Sequence, residues 1–288
     1  MHPLLKSEPG TGTLPGLMPE GAGTRPRNRI HVLRDGFLFS SAGADLSTCR
    51  HAAVLLLALD ERGFELEAAG RRRRHQAVVM RPYVAHSLWS RDVAFACLDM
   101  QGTHALFRRF SRLPDPGLRP LAVERFAAVL PMLHGFQQGV LDDAACRDLY
   151  ELTLSLAACA LPDPGPADAR IQRVLVCADR DPACSIDTLA EVACLSVDRL
   201  SHLFSQEMGL SLRRYLQSMK IRAAARLYGK PMTLTEIALA AGFCDSAHFS
   251  KVWMQAYGTP PGHYFTRKPS RIHPGQIRSA EGPRSRAA

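Results

Sequence analysis

The feature that most constrains this chain of 288 residues is a repeat inside its C-terminal third. The stretch Leu189-Ala190-Glu191-Val192-Ala193-Cys194-Leu195-Ser196 is followed by Leu200-Ser201-His202-Leu203-Phe204, by Gly209 and by Tyr215. It returns as Ile237-Ala238-Leu239-Ala240-Ala241-Gly242-Phe243-Cys244, then Phe249-Ser250-Lys251-Val252-Trp253, Gly258 and Tyr264. The early blocks are 48 residues apart and the later ones 49, so the second copy has one extra residue in its turn. Each copy has the chemistry of a helix-turn-helix. A short helix carries a small residue where its partner crosses (Ala190, Ala238), a tight turn follows, and Ser196 or Asp245 stands where a second helix needs an N-cap.

The second helix of each copy is amphipathic. Leu200, Leu203 and Phe204 turn inward and leave Asp198, Ser201, His202 and Ser205 outside; Phe249, Val252 and Trp253 turn inward and leave Ser246, Ala247, His248 and Lys251 outside. Side chains at that end of such a helix are the ones that reach base edges in a major groove. Asp198 repels phosphate, so a contact from it has to accept from a base amine such as cytosine N4. Between the copies, Leu212 to Tyr228 reads as one long helix bearing Arg213, Arg214, Lys220, Arg222 and Arg226. It would hold two reading helices at a fixed separation, and two readers on one face of a duplex need about 34 Å. A plain helical bundle, duplicated without DNA binding, is the competing reading.

Upstream, Pro162-Asp163-Pro164-Gly165-Pro166 allows no helix to cross, which places a linker at 162–168 between a domain over 28–161 and one over 169–268. Before it, Val54–Leu59, Phe64–Glu67, Ala77–Met80 and Val93–Leu98 read as short strands, with turns at Asp60–Gly63 and at Gly70 with Arg71–Arg74. Short strands with close turns predict a small antiparallel barrel or sandwich. From Leu121 to Ala160 the apolar spacing becomes helical and predicts a helix pair joined near Gly139, which packs on the strands or forms a dimer interface. The fold class is α+β, with everything after the linker helical.

Charge is uneven along the chain. The total is +9, with a net +2 over 28–161, +5 over 169–268 and +3 in the last twenty residues. A cationic C-terminal third points to a polyanion. The Pro- and Gly-rich residues 1–27 read as a floppy tail rather than a signal peptide, 269–288 as a basic one, and no apolar run is long enough to span a membrane. A soluble cytoplasmic protein is expected, with its eight cysteines reduced and no zinc-type spacing among them.

The second copy, Ile237-Ala238 through Gly242-Phe243, Phe249-Ser250-Lys251, Ala256-Tyr257-Gly258, Pro261 and Tyr264, resembles the signature of the AraC/XylS family of bacterial transcription regulators, and the first copy supports it. The resemblance covers about a third of the chain. Pro260, Phe265 and Lys220 depart from the family's usual residues. It implies a sequence-specific transcription regulator, more an activator than a repressor. Its partners are promoter or operator DNA, RNA polymerase, an unknown small-molecule effector and a second copy in a homodimer, with no cofactor.

The N-terminal half resembles, more weakly, the family's cupin-like sensor barrel, through Pro82-Tyr83-Val84-Ala85-His86. His51 and His86 are guesses for effector contacts. Metal-binding cupins need His-x-His, and His51 has no such partner, although His31, His75, His86 and His104 could converge with it in space. Arg71–Arg74 reads as a solvated hairpin tip ahead of a ligand-binding or DNA-steering patch. The alternative functions are a cupin-type metalloenzyme fused to a DNA-binding domain, an alkylation-repair methyltransferase and a regulator without ligand. The methyltransferase needs four cysteines where residues 1–145 hold only Cys49 and Cys97.

Overall fold

The structure, a computed structural model, describes residues 28–227 and 230–265. The two expected tails and the end of the long helix at Tyr228 lie outside the described residues. The N-terminal half contains ten strands: β1 Arg29–Leu33, β2 Gly36–Ser41, β3 Asp45–Cys49, β4 Ala53–Ala58, β5 Phe64–Ala68, β6 Arg71–His75, β7 Ala77–Met80, β8 Ala85–Trp89, β9 Phe95–Met100 and β10 Leu118–Pro120. They form two antiparallel sheets, one ordered β1-β2-β9-β4-β7-β10 and the other β3-β8-β5-β6. The expected barrel is therefore an open sandwich.

Strand β4 shows why. All six of its residues are buried, and the two faces go to different places. Val54, Leu56 and Ala58 meet Phe64, Leu66 and Leu88 of the smaller sheet, whereas Ala53, Leu55 and Leu57 pack against the helices. A continuous apolar run is what a strand covered on both faces requires. The four arginines behave differently from the expectation. Arg71–Arg74 are not a turn but most of β6, and the turn itself is Ala69 and Gly70, both at positive φ (52° and 70°). Two left-handed residues match the twist of a tight hairpin. Glu65 then pairs across from Arg74 and Glu67 from Arg72, so β6 is an edge strand that charge keeps in water.

A short helix α1 (Phe107–Ser111) follows β9. The predicted helix pair is α2 (Leu130–Gln138) and α3 (Asp143–Ala158), separated by Gly139 at φ 79° and preceded by a single 3-10 turn over Val123–Phe126. The C-terminal part contains α4 (Ala169–Arg180), α5 (Ile186–Ala193), α6 (Val197–Met208), α7 (Leu212–Ala225), α8 (Leu234–Ala240), α9 (Ser246–Tyr257) and α10 (Gly262–Phe265). One apolar core runs from Leu38 of β2 through α1 and α3 to Phe204 of α6 and Met219 of α7. A separate core holds Ile221, Ile237, Phe249, Trp253 and Phe265. Among the described residues no helix is long and apolar enough to cross a membrane.

Candidate nucleic-acid interface

Both copies of the repeat fold as helix, turn and helix, and their caps match. In the first, Ser185 starts α5 by accepting from the Thr188 amide at 3.0 Å. Helix α5 ends at Cys194, which is left-handed at φ 54°. Ser196 Oγ then accepts from the Arg199 amide at 3.3 Å and starts α6. In the second, Thr233 and Glu236 form a capping box at the start of α8, and Gly242 takes the left-handed position at φ 83°. Asp245 Oδ1 accepts from the His248 amide at 2.7 Å to start α9. The turn is closed identically in both, Leu195 N–H to the Ala190 carbonyl (3.0 Å) and Phe243 N–H to the Ala238 carbonyl (2.9 Å). The extra residue of the second copy is Cys244, exposed between closure and cap. Ala190 and Ala238 are buried, as a close crossing demands.

These caps aim the first turns of α6 and α9 into solvent. Asp198, His202 and Ser205 are exposed on α6 and Ser201 is half-buried; on α9, Ala247, His248 and Lys251 are exposed and Ser246 is half-buried. The Ser205 hydroxyl donates to the Ser201 carbonyl at 2.8 Å, which leaves its oxygen to accept. The His248 ring stands edge-on to Phe243 at 5.4 Å, with Nδ1 3.9 Å from Cys244 Sγ. Beneath each face the helix is anchored by Leu200 and Phe204, or by Phe249, Val252 and Trp253. Arg199 in the first turn of α6 and Gln255, one turn beyond Lys251 on α9, are exposed as well.

Helix α7 carries the expected cations, and several of them are engaged within the protein. Arg222 is 5% exposed and donates to Thr103 Oγ1 at 2.8 Å while pairing with Asp179 and, at 3.5 Å, Asp35. The Arg214 guanidinium lies 4.7 Å over the Tyr83 ring, and Arg226 donates to the Arg34 carbonyl at 3.3 Å. Arg213 stays exposed.

In the sandwich, His86 Nδ1 lies 2.9 Å from the Val84 carbonyl and Nε2 lies 3.1 Å from Thr48 Oγ1, and burial pushes its pKa down to about 4. His51 is buried with Nδ1 unpartnered, its ring edge-on to Tyr83 at 5.0 Å, and burial likewise lowers it to about 4. The five histidines do not converge. His31 faces Asp143, His104 bonds to Glu151, and His75 ends the edge strand β6. Among the described residues no group of three or more His, Cys, Asp or Glu side chains is placed to hold a metal ion.

Comparison with known proteins agrees with this geometry. Residues 189–267 match the family model described as a helix-turn-helix domain. The arabinose operon regulatory protein of Escherichia coli is 32% identical over 80 residues, 27% of each chain. The transcriptional activator NphR of a Rhodococcus species is 30% identical over 96 residues, 33% of this chain and 28% of that one. The chain thus covers little more than a quarter of the length of these relatives. A structure of ToxT from Vibrio cholerae with an unsaturated fatty acid bound shares the fold over 81% of this chain and 97% of that one, with a TM-score of 0.52 and 10% identity. Residues 189–267 are therefore matched as a helix-turn-helix domain, over a stretch that is also similar to the arabinose operon regulatory protein and NphR.

Proposed function

We propose that the chain is a sequence-specific transcription regulator that reads two successive major-groove segments of a promoter or operator. The observation that carries this is the pair of identically closed and capped turns, each presenting the exposed first turns of a helix on a buried aromatic base. Base edges would be read from Asp198, Ser201, His202 and Ser205 on α6 and from Ser246, Ala247, His248 and Lys251 on α9. Phosphates would be held by exposed cations around them. Residues 28–161 would serve as a sensor and 169–268 as the reading domain, joined through 162–168.

The relatives named as regulators and activators support an activating role; RNA polymerase would be a partner of such a regulator, and its location would be cytoplasmic. The fatty acid bound to ToxT supports a small-molecule effector, for which the buried Nδ1 of His51 is one of several polar atoms of the N-terminal half without a hydrogen-bond partner. His86 could join it only by giving up Thr48. The outward face of α3, with Leu152 at 45% exposure, would serve a homodimer.

The test is duplex binding by the full chain across a salt series. Log affinity should fall linearly with log salt, by about 0.9 for each phosphate neutralised. Lys251→Ala should weaken binding by about 1–3 kcal/mol if the lysine contacts a base. A flat salt response contradicts the reading.

A further inference from the structure

The reading helices do not account for the most cationic surface of the N-terminal half. Arg71, Arg72, Arg73 and Arg74 are consecutive and all exposed on edge strand β6. Only two of them are neutralised locally. Glu65 takes Arg72 at 2.6 Å and Arg74 at 3.4 Å, and the Arg72 guanidinium rests 4.0 Å over the Trp89 ring. Arg71 and Arg73 have no acidic partner among the described residues. Protecting a sheet edge takes a charge or two, whereas four adjacent like charges repel one another unless an anion neutralises them.

Where the strand lies narrows the choice of anion. Glu67, Ala68, Ala69 and Gly70 at the hairpin tip line, together with Met254 and Gln255 of α9, a groove of about 470 Å³ floored by residues of β3 and β8. Gln255 is one helical turn beyond Lys251, so the groove continues the exposed stripe of Ala247, Lys251 and Gln255. A helix seated in a major groove has a sugar-phosphate strand on each side. Across the protein's groove from this end of α9, the protein surface is the β5–β6 hairpin.

We infer that the arginine strand is a phosphate clamp for the second reading helix, so that the N-terminal half binds DNA directly. The inference rests on the DNA-binding reading above and extends it to a part of the chain outside the helix-turn-helix domain. Arg71 and Arg73 engage phosphates, while Arg72 and Arg74, tied to Glu65, stiffen the strand. The clamp flanks α9 and not α6, so it lengthens the footprint on one side only.

The experiment measures binding of the full chain to a mixed-sequence duplex of about three helical turns over a salt series. It compares the natural chain with Arg71→Ala/Arg73→Ala, Arg71→Lys/Arg73→Lys and Lys251→Ala. The alanine pair should bind about tenfold more weakly and reduce the salt slope by about 2, one unit for each phosphate lost. The lysine pair should restore most of the affinity, and all variants should keep the melting temperature of the natural chain. An alanine pair that binds with unchanged affinity and slope, while Lys251→Ala is weakened, overturns the clamp. Tighter binding by the alanine pair also overturns it, since the hairpin would then obstruct the duplex. A natural chain without salt-dependent binding removes the DNA reading itself, and the clamp with it.

Discussion

The two helix-turn-helix units share turn geometry and caps but not their anchoring. The first is continuous with the core of the N-terminal half. Phe204, Met208 and Tyr215 lie in one cluster with Phe107, Phe110 and Leu113 of the α1 region. Around that seam, Arg108 pairs with Glu207 at 2.7 Å, the Tyr83 hydroxyl donates to the Arg214 carbonyl at 2.6 Å, and Arg222 plugs into Asp35, Thr103 and Asp179. The second unit has its own core, an aromatic stack in which Trp253 lies 5.6 Å from Phe249 and 5.0 Å from Phe265. It meets the N-terminal half through the last turns of α9. There Tyr257 is 6.4 Å from Phe37, and the Arg50 guanidinium lies 5.3 Å from the Tyr257 ring and 5.5 Å from that of Phe37. One motif, used twice, is fused to the N-terminal half in one copy and clipped to it in the other. The sandwich is joined to α6 through packed side chains, and to α9 through α7 and this clip.

The largest effect that could break the comparison comes from core truncation. Phe110→Ala should cost about 3–5 kcal/mol, and hydrogen exchange should show the sandwich and the first unit losing protection together. Trp253→Ala should open the second unit alone. Equal loss in both units from either change would mean that they are anchored alike.

Acid should separate the units in the same way. His51 and His86 titrate near 4 in the folded chain against 6.5 in the open one, so between those values the unfolded state binds more protons. Their contribution is complete above pH 6.5 and is lost as pH falls toward 4. His31 and His75, also lowered by burial, act in the same direction. Asp99, pushed up to about 7 by burial although Arg50 lies 3.8 Å away, acts in the opposite direction between about 4 and 7. Each net proton taken up on unfolding is worth about 1.4 kcal/mol per pH unit. All these groups lie in the sandwich, so melts at falling pH should lose it and the first unit before the second. His51→Phe, which keeps a ring against Tyr83, should flatten the decline.

A smaller effect is expected from Gly102→Ala, whose added carbon would fall on the Tyr215 ring across the seam. The cost should be about 1–3 kcal/mol, as for overpacking elsewhere, and urea unfolding measures it. The smallest is Phe37→Leu, which removes one ring of the clip and leaves Arg50 beside Asp99 and Tyr257; it should cost on the order of 1 kcal/mol and raise exchange in α9 without changing α6.

The units were legible in the sequence because their determinants are local. An N-cap, a residue that accepts positive φ and a 3.6-residue apolar stripe all fall within one helical hairpin. Strands β4, β5, β7 and β9 were legible for the same reason, being apolar or strictly alternating. Strand β3, with Asp45, Ser47 and Thr48, gives no such signal, and β6 read as a turn because four arginines carry no apolar pattern; what makes it a strand is Glu65 and Glu67 opposite. The asymmetry of anchoring was not legible at all. Arg222 reads as one more cation on a basic helix until the fold brings Thr103, 119 residues away, within bonding distance.

The measurement that tests the central claim most directly is selection of bound sequences from a random duplex pool by the full chain at near-physiological salt. The account predicts an enriched motif of two short elements about one helical turn, ~34 Å, apart. His202→Ala should blur the element read by α6, and Lys251→Ala the one read by α9. Salt-sensitive binding with no enriched motif, or a motif with a single element that neither substitution alters, would contradict two-helix readout.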